Sequence, residues 1–454
     1  MKLRGLLALA SGCLLATACN DSSSNFPTNS CADVTTGTCV EIQGGDSQAL
    51  LDAVNSIEAN TTIVLGKGTF SLTNGVYVRS AGFRLVGQGI DVTTLDFGPA
   101  TGQFNGVDVI GDGFLVQDVT VLDAPKDGIR VESSNGVTFR RIRATWSTPG
   151  DSTNGAYGIY PVKSQNVLVE DSRAENASDA GLYVGQCQNV IVRNNVVTGN
   201  VAGLEIENTQ YADVYNNEAY MNTGGIVVFD LPGNPIIGRD VRLRDNNIHD
   251  NNGENFAPGG TVQQIPVGTG TFAMASRRVE ITGNTYKNNN TVDIAIISGL
   301  AVEQNTALWQ HNTADLVGTW QDLNLLPGAA PNTVTNFRSE NVLVANNTHM
   351  GSGTAIDPSP KQINLLLASL YGANTVDNIL YDTIGESQFN GTTLASNSND
   401  NHLCVGGNPA ASFASLNFPN QPGAPILRIT AGGPYGNFGC NSLNGGPVQP
   451  VTIP

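Results

Sequence analysis

A short phrase recurs along this chain at a nearly constant interval. Gln165–Val169 reads GlnAsnValLeuVal, Gln188–Val192 reads GlnAsnValIleVal, and Gln210–Val214 is a degenerate GlnTyrAlaAspVal. Starts at 165, 188 and 210 give spacings of 23 and 22 residues, a period that in β-rich sequence means stacked coils. A second phrase runs in step with it: a glycine followed by alternating apolar residues, at Gly128, Gly158, Gly181, Gly203 and Gly225. From Gly128, Gly158, Gly181 and Gly203 the next coil's strand position (Val137, Val167, Val190, Ala212) follows nine residues later. Each coil therefore reads as strand, Asn-rich bend, strand, short turn, and the chain as an all-β parallel solenoid.

Composition agrees with that reading. Gly and Asn are abundant, aromatics are few and only 13% of residues are charged, which suits short strands and tight turns better than helices. A solenoid grows by adding coils, so 454 residues need not imply several domains. The formal charge of −17 disfavours nucleic acid and anionic lipid as partners, because binding them depends on a basic surface.

The first residues read as an address. Lys2 and Arg4 precede an apolar stretch from Leu6 to Ala18, too short to span a bilayer, and small residues lead to Cys19. The run resembles a bacterial lipobox ending in Cys19, with Ala16 where Leu is more usual and Cys13 as a rival. Residues 1–19 are thus expected to be a lipoprotein signal with Cys19 lipidated, and 20–30 a polar tether. The expected location is the bacterial cell envelope, anchored by lipid alone. Export permits disulfides, and the remaining cysteines read as Cys31 with Cys39 and Cys404 with Cys440. Cys187 is left over and reads as a small buried thiol.

Asp46 and Ser47 precede Gln48–Glu58, whose Leu50, Leu51, Val54 and Ile57 mark one face of a capped helix. With the coils that follow, this resembles the right-handed parallel β-helix superfamily of pectate-lyase-like proteins, which open with a helix plugging the first coil. The resemblance covers about Cys31 to Asn347. With the lipoprotein signal, the chain looks more narrowly like exported bacterial β-helix-repeat proteins of unassigned function, which tend to be encoded beside a c-type cytochrome-like exported protein. The expected domains are a β-helix over 31–350 and an irregular C-terminal cap and tail over 351–454. Pro360–Tyr371 is the candidate helix for the far end. Ser172, Asn195, Asn217, Asn246, Asn284 and Asn347 form a column expected to turn inward and bond from coil to coil.

Alternation along the strands sends Leu204 and Ile206 inward and Glu205 and Glu207 outward. The same count exposes Arg130, Tyr160, Tyr183 and Phe229, with Lys163 at a strand end, a mixture of aromatic faces and polar groups suited to a sugar chain. Insertions at 147–156, 230–239, 251–269 and 298–340 rise on both margins of this sheet and would wall it into a groove. Glu205 and Glu207 stand about 6.5–7 Å apart along one strand face. That suits the carboxylate pairs of glycosidases, separated by about 5–9.5 Å, and equally suits two solvated acids. Asp230, Asp127 and Asp179 are weaker acid candidates. A lyase or epimerase needs a cation for the sugar carboxylate and a base for the C5 proton, and this face offers only Arg130 and Lys163, on coils before the acid pair. His249, His311, His349 and His402 are scattered without metal-ligand spacing, and no metal or cofactor is expected.

Two functions fit. One is an envelope protein whose groove binds, and in an enzyme version processes, a polysaccharide or oligosaccharide as hydrolase, lyase or epimerase. The other is a non-catalytic scaffold that holds an exported protein partner, cytochrome-like if the narrower resemblance is followed.

Overall fold

A computed structural model describes residues 25–388, 397–424, 426–429 and 432–454; Cys13, Cys19 and the rest of the expected signal lie outside the described residues. Three strands make a coil. In one of them Ala202–Glu207, Gln210–Tyr215 and Glu218–Tyr220 are the strands, each paired in parallel with its counterparts one coil before and one coil after. The glycine strands stack into a 12-stranded sheet, while the other two sets join in a 20-stranded sheet. Val169, Val192 and Val214 are in register, as are Leu182, Leu204 and Ile226, and all six are fully buried in one continuous lumen.

The corners explain the composition. At each of the three bends a residue with positive φ is followed by one whose side chain is buried. Asn194, Asn216 and Asp245 precede Asn195, Asn217 and Asn246; Met221, Asp250 and Asn288 precede Asn222, Asn251 and Asn289; Lys163, Gln186 and Asn208 precede Ser164, Cys187 and Thr209. Asn and Asp enter the left-handed region at least cost among side-chain-bearing residues, which is why the bends are rich in them. In the first corner the Asn195 amide donates to Val169 O and to Asn217 Oδ1, both at 3.0 Å, and the Asn195 backbone N–H donates to the same Oδ1 at 3.0 Å. The chain of amides continues through Asn246, Asn284 and Asn347 to Asn408. A second ladder, not anticipated from the sequence, runs five residues behind it through Asn200, Asn222, Asn251 and Asn289.

Cys187 occupies the third corner. Ser134 N–H donates to Ser164 Oγ at 3.2 Å, Ser164 N–H to Cys187 Sγ at 3.5 Å, and Cys187 N–H to Thr209 Oγ1 at 3.2 Å. The thiol is a rung in a hydroxyl ladder, and burial pushes it up to about 12. The recurring glycine has a steric cause: a Cβ on Gly128, Gly158 or Gly203 would stand 2.5–2.6 Å from the carbonyl oxygen of the next coil's glycine.

The first helix, α1 (Ser47–Asn55), is capped by Asp46, whose carboxylate accepts the Ala49 N–H at 3.0 Å, and it buries Leu50 and Val54 in the first coils. A disulfide joins Cys31 to Cys39 beside it. The far end differs from the expected cap. Helix α2 (Gln362–Tyr371) does not close the lumen; Leu367 and Tyr371 pack with Val292, Ala295 and Leu380 on the outer face of the 12-stranded sheet. The stack itself passes residue 350: Ile379–Tyr381, Cys404–Gly406 and Phe413–Ser415 pair onto preceding strands. Phe438 from the tail then plugs the end, 5.6 Å from the Phe413 ring and 5.7 Å from Tyr381, held by the Cys404–Cys440 disulfide. Leu427–Ile429 adds an antiparallel strand to Phe413–Ser415, which removes a free edge that would invite further pairing. No helix among the described residues is long and apolar enough to cross a membrane.

Replacing Asn217 with Leu removes the acceptor used by Asn195 and the donor to Val192 O. The orphaned groups sit in the lumen, so the variant is expected to lose about 1–3 kcal/mol for each buried group left unpaired. Urea unfolding midpoints check this; an unchanged midpoint rejects the ladder as a stabilising element.

Candidate functional site

The outer face of the 12-stranded sheet carries two columns in register. One runs Asp108, Arg130, Tyr160 and on to Tyr183, Glu205, Val227 and Phe272; the other runs Glu132, Val162, Gly185, Glu207, Phe229 and Met274. The inward and outward assignment read from alternation is therefore correct. The exposure read from it is not. Tyr183 (5% exposed), Glu205 (1%), Glu207 (6%), Asp230 (1%) and Phe229 (3%) are all buried.

The cause is that the insertions lie down on the sheet instead of standing at its margins. Phe256, Ala257, Val262 and Ile265 from one insertion, Leu300, Ala301 and Trp309 from another, and α2 form a second apolar cluster with Val227, Phe229, Phe272 and Ala295. From Val227 onward the outer columns are apolar and covered. Before it, apart from Val162 and Gly185, their positions are charged or tyrosine, and Tyr157, Tyr160, Arg130, Glu132 and Lys163 keep solvent-exposed surface. The acid pair stands at the boundary between the two halves.

Three tyrosines meet there. Ring centroids are 4.6 Å apart for Tyr157 and Tyr160, 4.5 Å for Tyr157 and Tyr183, and 4.9 Å for Tyr160 and Tyr183. Tyr183 lies along its strand over Gly185, where any side chain would collide with the ring, and its hydroxyl donates to Glu207 Oε2 at 2.6 Å. Asn234 Nδ2 donates to Glu207 Oε1 at 2.8 Å. Burial still raises the Glu207 carboxyl, partly offset by these two donors. Glu205 has no such help: its Oε1 has no partner among the described residues, and burial, then the charges of Asp179 and Glu207, hold it well above the usual carboxylate range. Asp179, with the Tyr157 hydroxyl against it and Gly260 of the long insertion over it, is pushed up to about 7, chiefly by burial. Asp127, buried in front of Tyr157, is raised to about 6 for the same reason.

Tyr157 and Asn234 were not singled out in the sequence. Tyr157 was not findable by alternation, which puts it on the same inward face as Ile159 two residues on; the alternation breaks at Gly158, whose Cβ position faces Ala144 and Ala174 in the lumen, and Tyr157 turns outward. Asp230 belongs elsewhere: its two oxygens accept the Gly238 N–H at 3.0 and 3.1 Å and Asn336 Nδ2 at 3.2 Å, and burial lifts it to about 7. Arg130 is ion-paired with Asp108 at 3.1 Å and with Glu132, and Lys163 approaches Glu132 at 3.7 Å, so both cations already face carboxylates. No group of three His, Cys, Asp or Glu residues suited to holding a metal occurs among the described residues.

The family model for the right handed beta helix region matches residues 127–307. The coil geometry above and this match are those of a right-handed parallel β-helix fold. No curated protein sequence matches the chain. Among solved structures, the A-module of a mannuronan C-5 epimerase from Azotobacter vinelandii is 16% identical, with 74% of this chain and 88% of that chain covered and a TM-score of 0.42. The catalytic unit of a GH87 alpha-1,3-glucanase from Streptomyces thermodiastaticus is 14% identical, covering 77% of this chain and 51% of that one, with a TM-score of 0.43. Pectate lyase Pel9A is 14% identical over 80% of this chain and 77% of that one, at a TM-score of 0.37.

A buried carboxyl whose folded pKa exceeds its unfolded value adds stability in acid and loses it as pH rises through the folded pKa. For Asp179 the window runs from its ordinary value of 3.8 to about 7. Asp179→Asn is therefore expected to raise the melting temperature relative to wild type at pH 8 more than at pH 4. A difference that is the same at both pH values contradicts the raised carboxyl.

Proposed function

We propose that this protein is an exported, lipid-anchored envelope protein that binds a carbohydrate chain on the tyrosine face of the 12-stranded sheet. The observation that carries this reading is the pair of partly exposed rings, Tyr157 and Tyr160, packed at 4.6 Å in front of the carboxyl cluster. Flat aromatic faces with a few fixed polar groups beside them are what a sugar ring needs: an apolar face to cover and hydroxyls to bond. Arg130, Glu132 and Lys163 supply an ion-paired polar margin next to the rings. The binding face is shorter than the sequence alone suggests, spanning the coils of Arg130 and Tyr160, because the later coils are roofed.

One observation favours turnover in addition to binding. Burial raises the Asp127 carboxyl to about 6 and the Asp179 carboxyl to about 7, a range that suits a group that gives and accepts a proton near neutral pH. Hydrolysis suits that chemistry better than elimination or epimerisation, since Arg130 and Lys163 are already held by carboxylates and poorly placed to neutralise a uronate. Glu205 and Glu207 act as positioning residues whose charges bear on Asp179.

A glycan array probed with the mature protein tests the reading. Binding that Tyr160→Ala weakens at least tenfold without changing the melting temperature supports it. Asp179→Asn should then keep binding and lose any hydrolysis of the bound glycan. No glycan binding by wild type, with a stable exported protein partner recovered instead, rejects it in favour of a scaffold. For the anchor, Cys19→Ser should release the protein from membranes into the soluble fraction, and retention at the membrane would contradict lipidation at that residue.

A further inference from the structure

A second site lies away from the tyrosine face. At the start of the Gln210–Tyr215 strands the outward column continues as Arg239, Arg277 and Glu340. These residues floor a cleft of about 450 Å³, walled by Asp322–Asn324 of the long excursion, by His402 and by Asn444–Gly445 of the tail. The excursion and the tail, more than a hundred residues apart, close on the same floor.

Three arginines line this cleft, Arg338 bonds two of its other lining residues, Asn324 and Glu340, and of these four arginines three have a hydrogen-bonded carboxylate. Arg239 pairs with Asp240 and, through Nη2 at 2.9 Å, with Asp322; Arg278 Nε meets Asp240 at 2.8 Å; Arg338 Nη2 meets Glu340 at 3.3 Å. Arg277 differs. It is 2% exposed, its nearest carboxylate oxygen is Asp230 Oδ2 at 3.9 Å, beyond hydrogen-bonding reach, and that oxygen is taken by Asn336. Its Nη1 donates to Ala275 O at 3.0 Å, while its Nε is buried with no partner among the described residues. A guanidinium does not shed its proton to escape burial, so a buried one without a bonded counter-ion is costly and calls for an anion.

We propose that this cleft binds an acidic small molecule, with the acid group on the Arg277 guanidinium. The cavity is of the size that holds a monosaccharide or comparable metabolite, far more than one inorganic ion fills. Asn324 and Asn341 add neutral polar groups to the lining, and the Asn341 amide ties the floor to the tail by donating to Asn444 O at 2.8 Å and accepting the Asn444 N–H at 2.9 Å. The Arg277 fork recognises carboxylate, sulfate and phosphate alike, so the chemistry shared by these groups defines the site. Nothing in this inference depends on the carbohydrate reading of the tyrosine face.

The test is thermal unfolding of the mature full-length protein at constant ionic strength with sodium glucuronate, sodium sulfate or glucose, for wild type and Arg277→Gln. Glucuronate should raise the wild-type melting temperature by several degrees and leave Arg277→Gln unmoved, with glucose inert for both. A shift with sulfate alone, again lost in the variant, retains the anion site and assigns it to inorganic oxyanions. Equal shifts in both proteins, or none with either anion, overturn the proposal. If Arg277→Gln does not fold, wild-type crystals soaked in glucuronate decide: a carboxylate within hydrogen-bonding distance of Arg277 supports the site, and its absence from an accessible cleft overturns it.

Discussion

Every coil of this protein turns three corners, and at each the backbone exposes an amide to the lumen that only the adjacent coil can satisfy. The Asn195 N–H is met by Asn217, the Asn200 N–H by Asn222 and the Cys187 N–H by Thr209. A polar group buried alone costs as much as several apolar contacts return, so the ladders fix the register as strictly as the apolar columns do. Coils are interdependent for this reason, and both ends must be closed: α1 plugs one, and Phe438 with the Cys404–Cys440 bond plugs the other.

With register set from inside, the outer surface is free to vary, and the chain uses that freedom in two ways. Over the later coils it lays the insertions and α2 on the sheet and builds a second apolar cluster around Phe229, Phe272 and Trp309. Over the earlier coils it leaves tyrosines and ion pairs in contact with water. Glu205, Glu207 and Asp179 fall at the seam, where the roof removes water but supplies few donors. Their raised carboxyls are a consequence of that position.

The fold was legible because a strand of alternating residues, a fixed repeat and a corner asparagine are local signals that agree with one another. The second asparagine ladder obeys the same logic and was visible as an offset of five residues from the first. What the sequence concealed was where aperiodic segments go. Nothing in Asn251–Thr269 announces that Val262 and Ile265 fold onto the sheet, so Glu205 and Tyr183 read as open when they are covered. The stretch from Met350 to Cys404 likewise hides a return to the coil, since its strands are three residues long and separated by α2. The direction of each side chain was predictable from its strand, whereas its solvent contact depended on residues fifty or more positions away.

The hydroxyl ladder has one sulfur in it, and that changes how the molecule can be watched. Cys187 is the single free thiol among the described residues, and at about 12 its thiolate is almost unpopulated at neutral pH. Alkylating reagents reach it only when the rungs at Ser164 and Thr209 part. With reagent concentrated enough for labelling to outpace reclosing, the rate at which a native sample takes up the label is the rate at which the middle of the stack breathes, so the chain carries its own clock for opening events that leave both disulfide-closed ends intact.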